Sequence, residues 1–113
     1  MNETQFHANI DRLMMKLEDL LDEAETDLDY INSGGLLTIT CESGVQLVVS
    51  RQTPLLQLWL ASPIGGMRFV FDQEQQIWRQ DDEQAASFGT VMQHILVKFT
   101  DQKLDCSRLD IGR

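Results

Sequence analysis

The sequence is poor in cysteine, in histidine and in long apolar runs. Cys41 and Cys106 show no C-x-x-C spacing, and only His7 and His94 could join them, so neither a zinc site nor a secreted disulfide scaffold is predicted. Cys41 falls in a predicted strand and is interpreted as a buried free thiol. No apolar run approaches the ~18 residues that a membrane span needs. The first residues lack the basic and apolar regions of a signal peptide, so a cytoplasmic protein is expected.

Basic residues are also scarce. Nine lysines and arginines against eighteen aspartates and glutamates give a formal net charge of −9. This sign argues against nucleic acid and anionic membranes as partners and favours cations and basic protein surfaces. The length of 113 residues and the 42% hydrophobic fraction are ordinary for one globular domain, so we expect a single domain over residues 1–113.

The first 26 residues are predicted to form an amphipathic helix. Apolar side chains recur there at steps of three and four, which is typical of one buried face; they are Phe6, Ile10, Leu13, Leu17, Leu20, Leu21 and Ala24. Short β-branched and alternating runs then follow, separated by turn residues such as Ser33-Gly34-Gly35. They predict an antiparallel sheet of five or six strands within residues 27–80, with strands at 36–41, 45–51, 55–62, 67–71 and 77–79.

A second helix is predicted over residues 82–101, with Asp81 as its cap and Gln84 three residues further on. Residues 104–113 are predicted to form a short tail that packs on the helices. The order helix, strands, helix, with both helices apolar on one face, predicts an α+β fold. Its simplest form is a two-layer sandwich with both helices on one face of the antiparallel sheet and solvent on the other.

Acidic residues are concentrated in one stretch of the chain. Between Leu17 and Ser50 there is no lysine or arginine, and the acidic residues are Glu18, Asp19, Asp22, Glu23, Glu25, Asp27, Asp29 and Glu42. At about 100° per residue, Asp11, Glu18, Asp22 and Glu25 fall in one stripe opposite the apolar face, with Asp19 and Glu23 beside it.

The carboxylates of this stripe destabilise the helix that carries them. Like charges three and four residues apart destabilise a helix by roughly 0.2–0.5 kcal/mol per pair, and the helix dipole opposes anions in the C-terminal half. The alternative is that these carboxylates only form the solvent-exposed face of the helix. Their destabilisation of the helix instead indicates that they have a function. Carboxylates without thiolate or imidazole are hard ligands, which suit Mg²⁺, Ca²⁺, Mn²⁺ and iron. An exposed helix cannot enclose an ion, so binding is predicted to be weak and promiscuous among hard divalent or trivalent cations.

Trp59 is predicted to stand on the solvent face of the sheet. Alternation in residues 55–62 places Leu56, Leu58 and Leu60 toward the helices, and Gln57 and Trp59 on the other face. Exposed tryptophan is enriched at binding hot spots. The alternative is a bulge that turns Trp59 into the core. Glu3 and His7, four residues apart, are either a minor metal site or a plain surface pair.

Several stretches together resemble bacterial frataxins of the CyaY type. They are the acidic helix, Gly34-Gly35-Leu36-Leu37-Thr38-Ile39, the run Arg51-Gln52-Thr53-Pro54-Leu55-Leu56-Gln57-Leu58-Trp59-Leu60-Ala61-Ser62, and Gly65-Gly66 before an aromatic strand. The resemblance spans residues 2–100, and the pattern Gln-x-Pro-x-x-Gln-x-Trp-Leu-Ala is its most specific part. Ser50 and Arg68 depart from the family, where Asn and His are common.

The resemblance implies a protein that binds iron through an acidic ridge. It also implies docking onto the cysteine desulfurase of iron–sulfur cluster assembly, with the cluster scaffold protein as a second candidate partner. By position, the metal ligands are Glu18, Asp19, Asp22 and Glu23, extended by Glu25, Asp27 and Asp29; these seven residues are called the acidic ridge below. The residues expected to contact the partner protein are Trp59, Gln57, Glu18, Asp22 and Glu23.

Three kinds of function are compatible with these residues. The first is an iron-binding regulator of the desulfurase or iron donor, the second an acidic adaptor with incidental metal binding, and the third an iron oxidase, as proposed for some relatives. No nucleophile motif, phosphate-binding glycine loop or redox-tuned ligand set is visible, so a non-enzymatic protein is predicted. A monomer is expected, with metal-driven oligomers as the alternative.

Overall fold

The computed structural model describes residues 1–24, 28–100 and 104–110. Helix α1 (Glu3–Asp22) is followed by six strands and helix α2 (Phe88–Thr100). The strands are β1 (Asp29–Ser33), β2 (Leu36–Thr40), β3 (Gln46–Gln52), β4 (Gln57–Ser62), β5 (Gly65–Asp72) and β6 (Ile77–Gln80). Short 3₁₀ turns cover Thr53–Leu55 and Cys106–Asp110. Residues 104–110 are called the C-terminal segment below.

The six strands form one antiparallel meander in the order β1-β2-β3-β4-β5-β6. Both helices pack on one face of this sheet, and the core lies between the two layers. The sheet contributes alternate buried side chains to it, namely Leu37, Ile39, Leu47, Val49, Leu58, Leu60 and Phe69. The predicted α+β two-layer sandwich is confirmed.

Helix α1 begins where the sequence provides a cap. The Asn2 side chain accepts a hydrogen bond from the Gln5 N–H at 2.8 Å, and the Gln5 side chain accepts one from the Asn2 N–H at 3.0 Å. This reciprocal capping box satisfies two N–H groups that the first turn leaves unpaired. The predicted apolar face is buried, with Phe6, Ile10 and Leu17 fully enclosed. The helix ends at Asp22, earlier than the predicted residue 26.

The structure contains one strand that was not predicted, and the bounds of the other strands shift by one or two residues. Strand β1 was not assigned, because residues 29–33 carry little apolar alternation and most of them are exposed. The strand forms because Gly34 and Gly35, at φ of 61° and 82°, make a tight turn that folds it back onto β2. Strand β4 begins at Gln57 instead of residue 55. Residues Thr53–Leu55 form a 3₁₀ turn, and Leu56, which follows it, has a left-handed backbone conformation with φ of 53°.

The predicted start of the second helix is wrong. Asp81, the predicted cap, does not cap α2, which begins only at Phe88. Instead, the neighbouring Asp82 carboxylate accepts hydrogen bonds from the N–H groups of Gln84 and Ala85 at 3.0 and 2.9 Å and so stabilises a local turn. Ala85 adopts a φ of 49°, so the helix cannot run through it. Helix α2 begins at Phe88, where the Ser87 hydroxyl accepts a bond from the Thr90 N–H at 3.1 Å. No helix among residues 1–24, 28–100 and 104–110 is long and apolar enough to cross a membrane.

Candidate functional site

Three residues of the acidic ridge, Glu18, Asp19 and Asp22, lie in the C-terminal half of α1, and Glu23 directly follows its last residue. Asp19, Asp22 and Glu23 are exposed there, and Glu18 is half-buried. Asp29 is exposed at the start of β1. Glu25 and Asp27 lie outside the described residues. No lysine or arginine lies in the last turn of α1, so its dipole is not offset by a basic side chain of the helix itself.

Strand β1 holds two ridge carboxylates in place. The Tyr30 hydroxyl donates to Oδ1 of Asp22 at 2.9 Å, and Nδ2 of Asn32 donates to Oε2 of Glu18 at 3.1 Å. The hydrogen bond to Asp22 raises the pKa of Tyr30 above its ordinary value. Both donors lie in β1, the strand that the sequence does not predict, so the sequence gives no indication of these contacts. The strand therefore fixes the direction in which the ridge presents its charge.

The C-terminal segment reaches the same surface. Arg108 forms an ion pair with Glu23, and the hydrogen bond to that carboxylate raises the pKa of Arg108. The two residues are 85 positions apart in the chain. No local pattern could have indicated this pair from the sequence. One ridge carboxylate is thus already neutralised by a cation of the same chain.

The remaining geometry limits what the ridge can hold. Among residues 1–24, 28–100 and 104–110, no three histidine, cysteine, aspartate or glutamate side chains are grouped so that they could hold one metal ion. One or two of the described carboxylates can therefore bind an ion at a time, with water completing the coordination. Such a site suits hard cations that keep part of their hydration shell.

Glu3 and His7 do not form a favourable metal site. Arg51 Nη1 lies 3.0 Å from Nδ1 of His7, and Arg51 Nη2 donates to Asp11 at 2.8 Å. Because a guanidinium can only donate, a hydrogen bond between these two nitrogens requires Nδ1 to accept, which places the ring proton on Nε2. That nitrogen faces Oε1 of Glu3 at 3.8 Å. A metal on Nε2 would need the proton moved to Nδ1, where it would meet the guanidinium.

Trp59 lies half-buried on the sheet face opposite the helices, while Leu58 and Leu60 are buried on the helix side. These side chains therefore lie on the two faces of the sheet that were predicted for them. The indole N–H donates to Oε1 of Gln57 at 2.9 Å, and the Arg68 guanidinium stands 5.1 Å from the ring centroid. Trp59 and Arg68 border a groove of about 250 Å³ that also includes Val48 and Met67. Gln57 and Arg68 thus hold the indole from two sides.

Comparisons with known proteins relate the chain as a whole to one family. Residues 1–102 match the model of the frataxin-like domain. The iron–sulfur cluster assembly protein CyaY of Pseudomonas aeruginosa is 46% identical over 84 residues, which cover 74% of this chain and 78% of that protein. CyaY of Pseudomonas putida is 41% identical over 105 residues, or 93% of this chain and 94% of the other. The solved structure of frataxin from Psychromonas ingrahamii superposes with a TM-score of 0.85 at 30% identity and covers 94% of this chain and 98% of its own.

Proposed function

Because this chain belongs to the frataxin-like family, we propose that it takes part in iron–sulfur cluster assembly and binds iron on its acidic ridge. In this proposal the iron is a cargo or a regulatory ligand that is held weakly and exchanged with solvent. The same surface docks onto the cysteine desulfurase, and iron on the ridge alters that docking. The cytoplasm is the expected location.

One observation carries the proposal: four carboxylates crowd the end of α1, in a position where repulsion and the helix dipole both oppose them. Asp19, Asp22 and Glu23 are exposed, so a hydrated ion can reach them. Carboxylate oxygens match the preference of ferrous and ferric iron for hard ligands. An exposed site made of one or two carboxylates is expected to bind other hard cations as well, including Mn²⁺ and Mg²⁺.

The adaptor function is the second candidate, and the contacts of the ridge favour it. Glu18, Asp22 and Glu23 each already have a partner within the chain, in Asn32, Tyr30 and Arg108. A surface whose carboxylates are held by hydrogen bonds is suited to meet arginine and lysine side chains of a protein. In that case the steering of a basic partner is the main function, and metal binding is incidental.

Ferrous iron under anaerobic conditions, or Mn²⁺ in its place, is expected to raise the melting temperature. The cation relieves repulsion that exists only when α1 is folded, so it binds the native state preferentially. At a concentration tenfold above Kd, the stabilisation is about 1.4 kcal/mol, which corresponds to roughly 5–10 °C for a domain of this size. Differential scanning fluorimetry over a metal titration measures this shift.

A neutralised ridge provides the control for the melting experiment. The triple variant Glu18→Gln, Asp19→Asn, Asp22→Asn keeps the hydrogen-bond acceptors for Asn32 and Tyr30 but removes the charge, and it should melt at the same temperature with and without metal. A matched variant changes three exposed acids elsewhere, Glu74→Gln, Asp81→Asn and Glu83→Gln, and should respond like the wild type. A wild-type melting curve unchanged at millimolar metal would overturn the metal-binding function and leave the adaptor.

A further inference from the structure

The C-terminal segment is anchored to the start of α2. The Asp110 carboxylate accepts hydrogen bonds from the Ser87 hydroxyl at 2.7 Å and from the Gly89 N–H at 2.9 Å. A carboxylate in this position also benefits from the positive end of the helix dipole. The Cys106 N–H donates to Oε1 of Gln93 at 3.1 Å, and the side chains of Cys106 and Leu109 are buried. These contacts fix the backbone on both sides of Arg108.

This anchoring places Arg108 on the ridge. Its side chain is 43% exposed and that of Glu23 is 57% exposed, so their ion pair lies in contact with solvent. The other lysine or arginine ion pairs among the described residues, Arg51–Asp11 and Arg79–Asp72, involve no ridge residue. Arg108 thus brings a basic side chain from the far end of the chain onto a ridge carboxylate.

We propose that Arg108 is an intramolecular competitor that occupies Glu23 and lowers the affinity of the acidic ridge for cations and basic partners. The inference rests on the proposed function of the ridge. Arg108 contacts Oε2 of Glu23, so a ligand that binds this oxygen must displace the guanidinium, and one that binds Oε1 is repelled by the positive charge beside it. The free-energy cost of displacing Arg108 is the same for every ion, so the pair lowers the affinity of the ridge for all of them. A divalent ion bound by Glu23 together with a neighbouring carboxylate gains more electrostatic energy than a monovalent ion does, and it still binds despite this cost.

Displacement is reversible because the segment stays attached. With Asp110 still held at α2, a released Arg108 remains close to Glu23, so its effective concentration is high and it returns when the ligand leaves. Because Arg108 weakens the binding of a ligand to the ridge, the bound ligand must weaken the interaction of Arg108 with Glu23 by the same factor. The ridge and the C-terminal segment are therefore expected to be coupled in both directions.

The variant Arg108→Gln is expected to bind Mn²⁺, or Fe²⁺ under anaerobic conditions, about two- to fivefold more tightly than the wild type. This factor corresponds to the usual strength of an exposed ion pair. Lys98→Gln is the matched control, because Lys98 is exposed on α2 and its loss changes the net charge equally. It should leave the affinity near that of the wild type, and Arg108→Lys should do the same. Isothermal titration calorimetry measures each Kd.

A double-mutant cycle separates competition from a general loosening of the structure. Asp110→Ala should release the segment and raise the affinity, and adding it to Arg108→Gln should give no further gain. Equal affinity of the wild type and Arg108→Gln would overturn the inference while leaving the ridge function intact. An equal gain in Lys98→Gln would also overturn it, since the effect would then be net charge alone. If no protein, including the wild type, binds either ion, the metal-binding function fails and the inference fails with it.

Discussion

Replacing Asp22, Glu23 and Glu25 together with lysine is expected to abolish binding to the cysteine desulfurase at low ionic strength. The change turns three attractive charges toward a basic partner into three repulsive ones and places a second cation against Arg108. Charged surfaces of this kind raise association rates by ~10–1000-fold, so a loss of at least ~100-fold in affinity is expected. Surface plasmon resonance in about 20 mM salt measures it, because screening at higher salt would weaken the contrast.

A charge-matched variant makes this result specific. Glu74, Asp81 and Glu83 are exposed residues away from the ridge, and their joint replacement by lysine changes the net charge by the same amount. This control should retain most of the binding. Retained binding in the ridge variant would show that the ridge is not the docking surface. A comparable loss in both variants would show that total charge, and not the ridge, attracts the partner.

Gly89→Ala is expected to destabilise the protein, although alanine is the better helix former. A Cβ atom at Gly89 would lie 2.4 Å from the Cys106 carbonyl oxygen and 2.5 Å from Oδ2 of Asp110. The first of these atoms is backbone, so the C-terminal segment must move away from α2. Overpacking costs about 1–3 kcal/mol, and a contact this short with backbone belongs in the upper part of that range. After subtraction of the ~1 kcal/mol that helix propensity would add, a net loss of about 1–2 kcal/mol is expected. The melting temperature should fall by roughly 5–10 °C.

Whether the melting temperature falls or rises tests the packing of the C-terminal segment against α2. Gly66→Ala is the matched control, since no atom lies within 4 Å of a Cβ built at Gly66 and its φ is not in the left-handed region. It should leave the melting temperature nearly unchanged. A Gly89→Ala protein as stable as the wild type, or more stable, would show that the segment does not pack against the first turn of α2.

Much of the fold could be predicted because the core follows simple periodicities. The apolar spacing of α1 and the alternation of residues 36–60 each reflect one buried face, and both predictions agree with the structure. The start of α2 could not be predicted from its acids, because Asp82 can satisfy a local turn as well as a helix cap. Propensity alone does not decide between these two uses of an aspartate.

The ridge was predicted in part. Its position on the exposed face of α1 follows from the helical period, but its partners do not. Tyr30 and Asn32 reach it from β1, a strand that exists only through its pairing with β2. Arg108 reaches it from the far end of the chain. Long-range contacts of this kind leave no periodic signal, so the restrained and partly neutralised state of the ridge could be recognised only in the folded chain.

A titration of the ¹⁵N-labelled protein with Mn²⁺ tests the central claim most directly, because the paramagnetic ion broadens the amide signals nearest to it. If the acidic ridge binds the ion, the signals of residues 18–23 are expected to broaden first, followed by those of Tyr30 and Arg108. The signals around Trp59 should stay sharp. Broadening that begins instead at the exposed acids of residues 81–83, or that is uniform over the chain, would contradict the acidic ridge as the cation site.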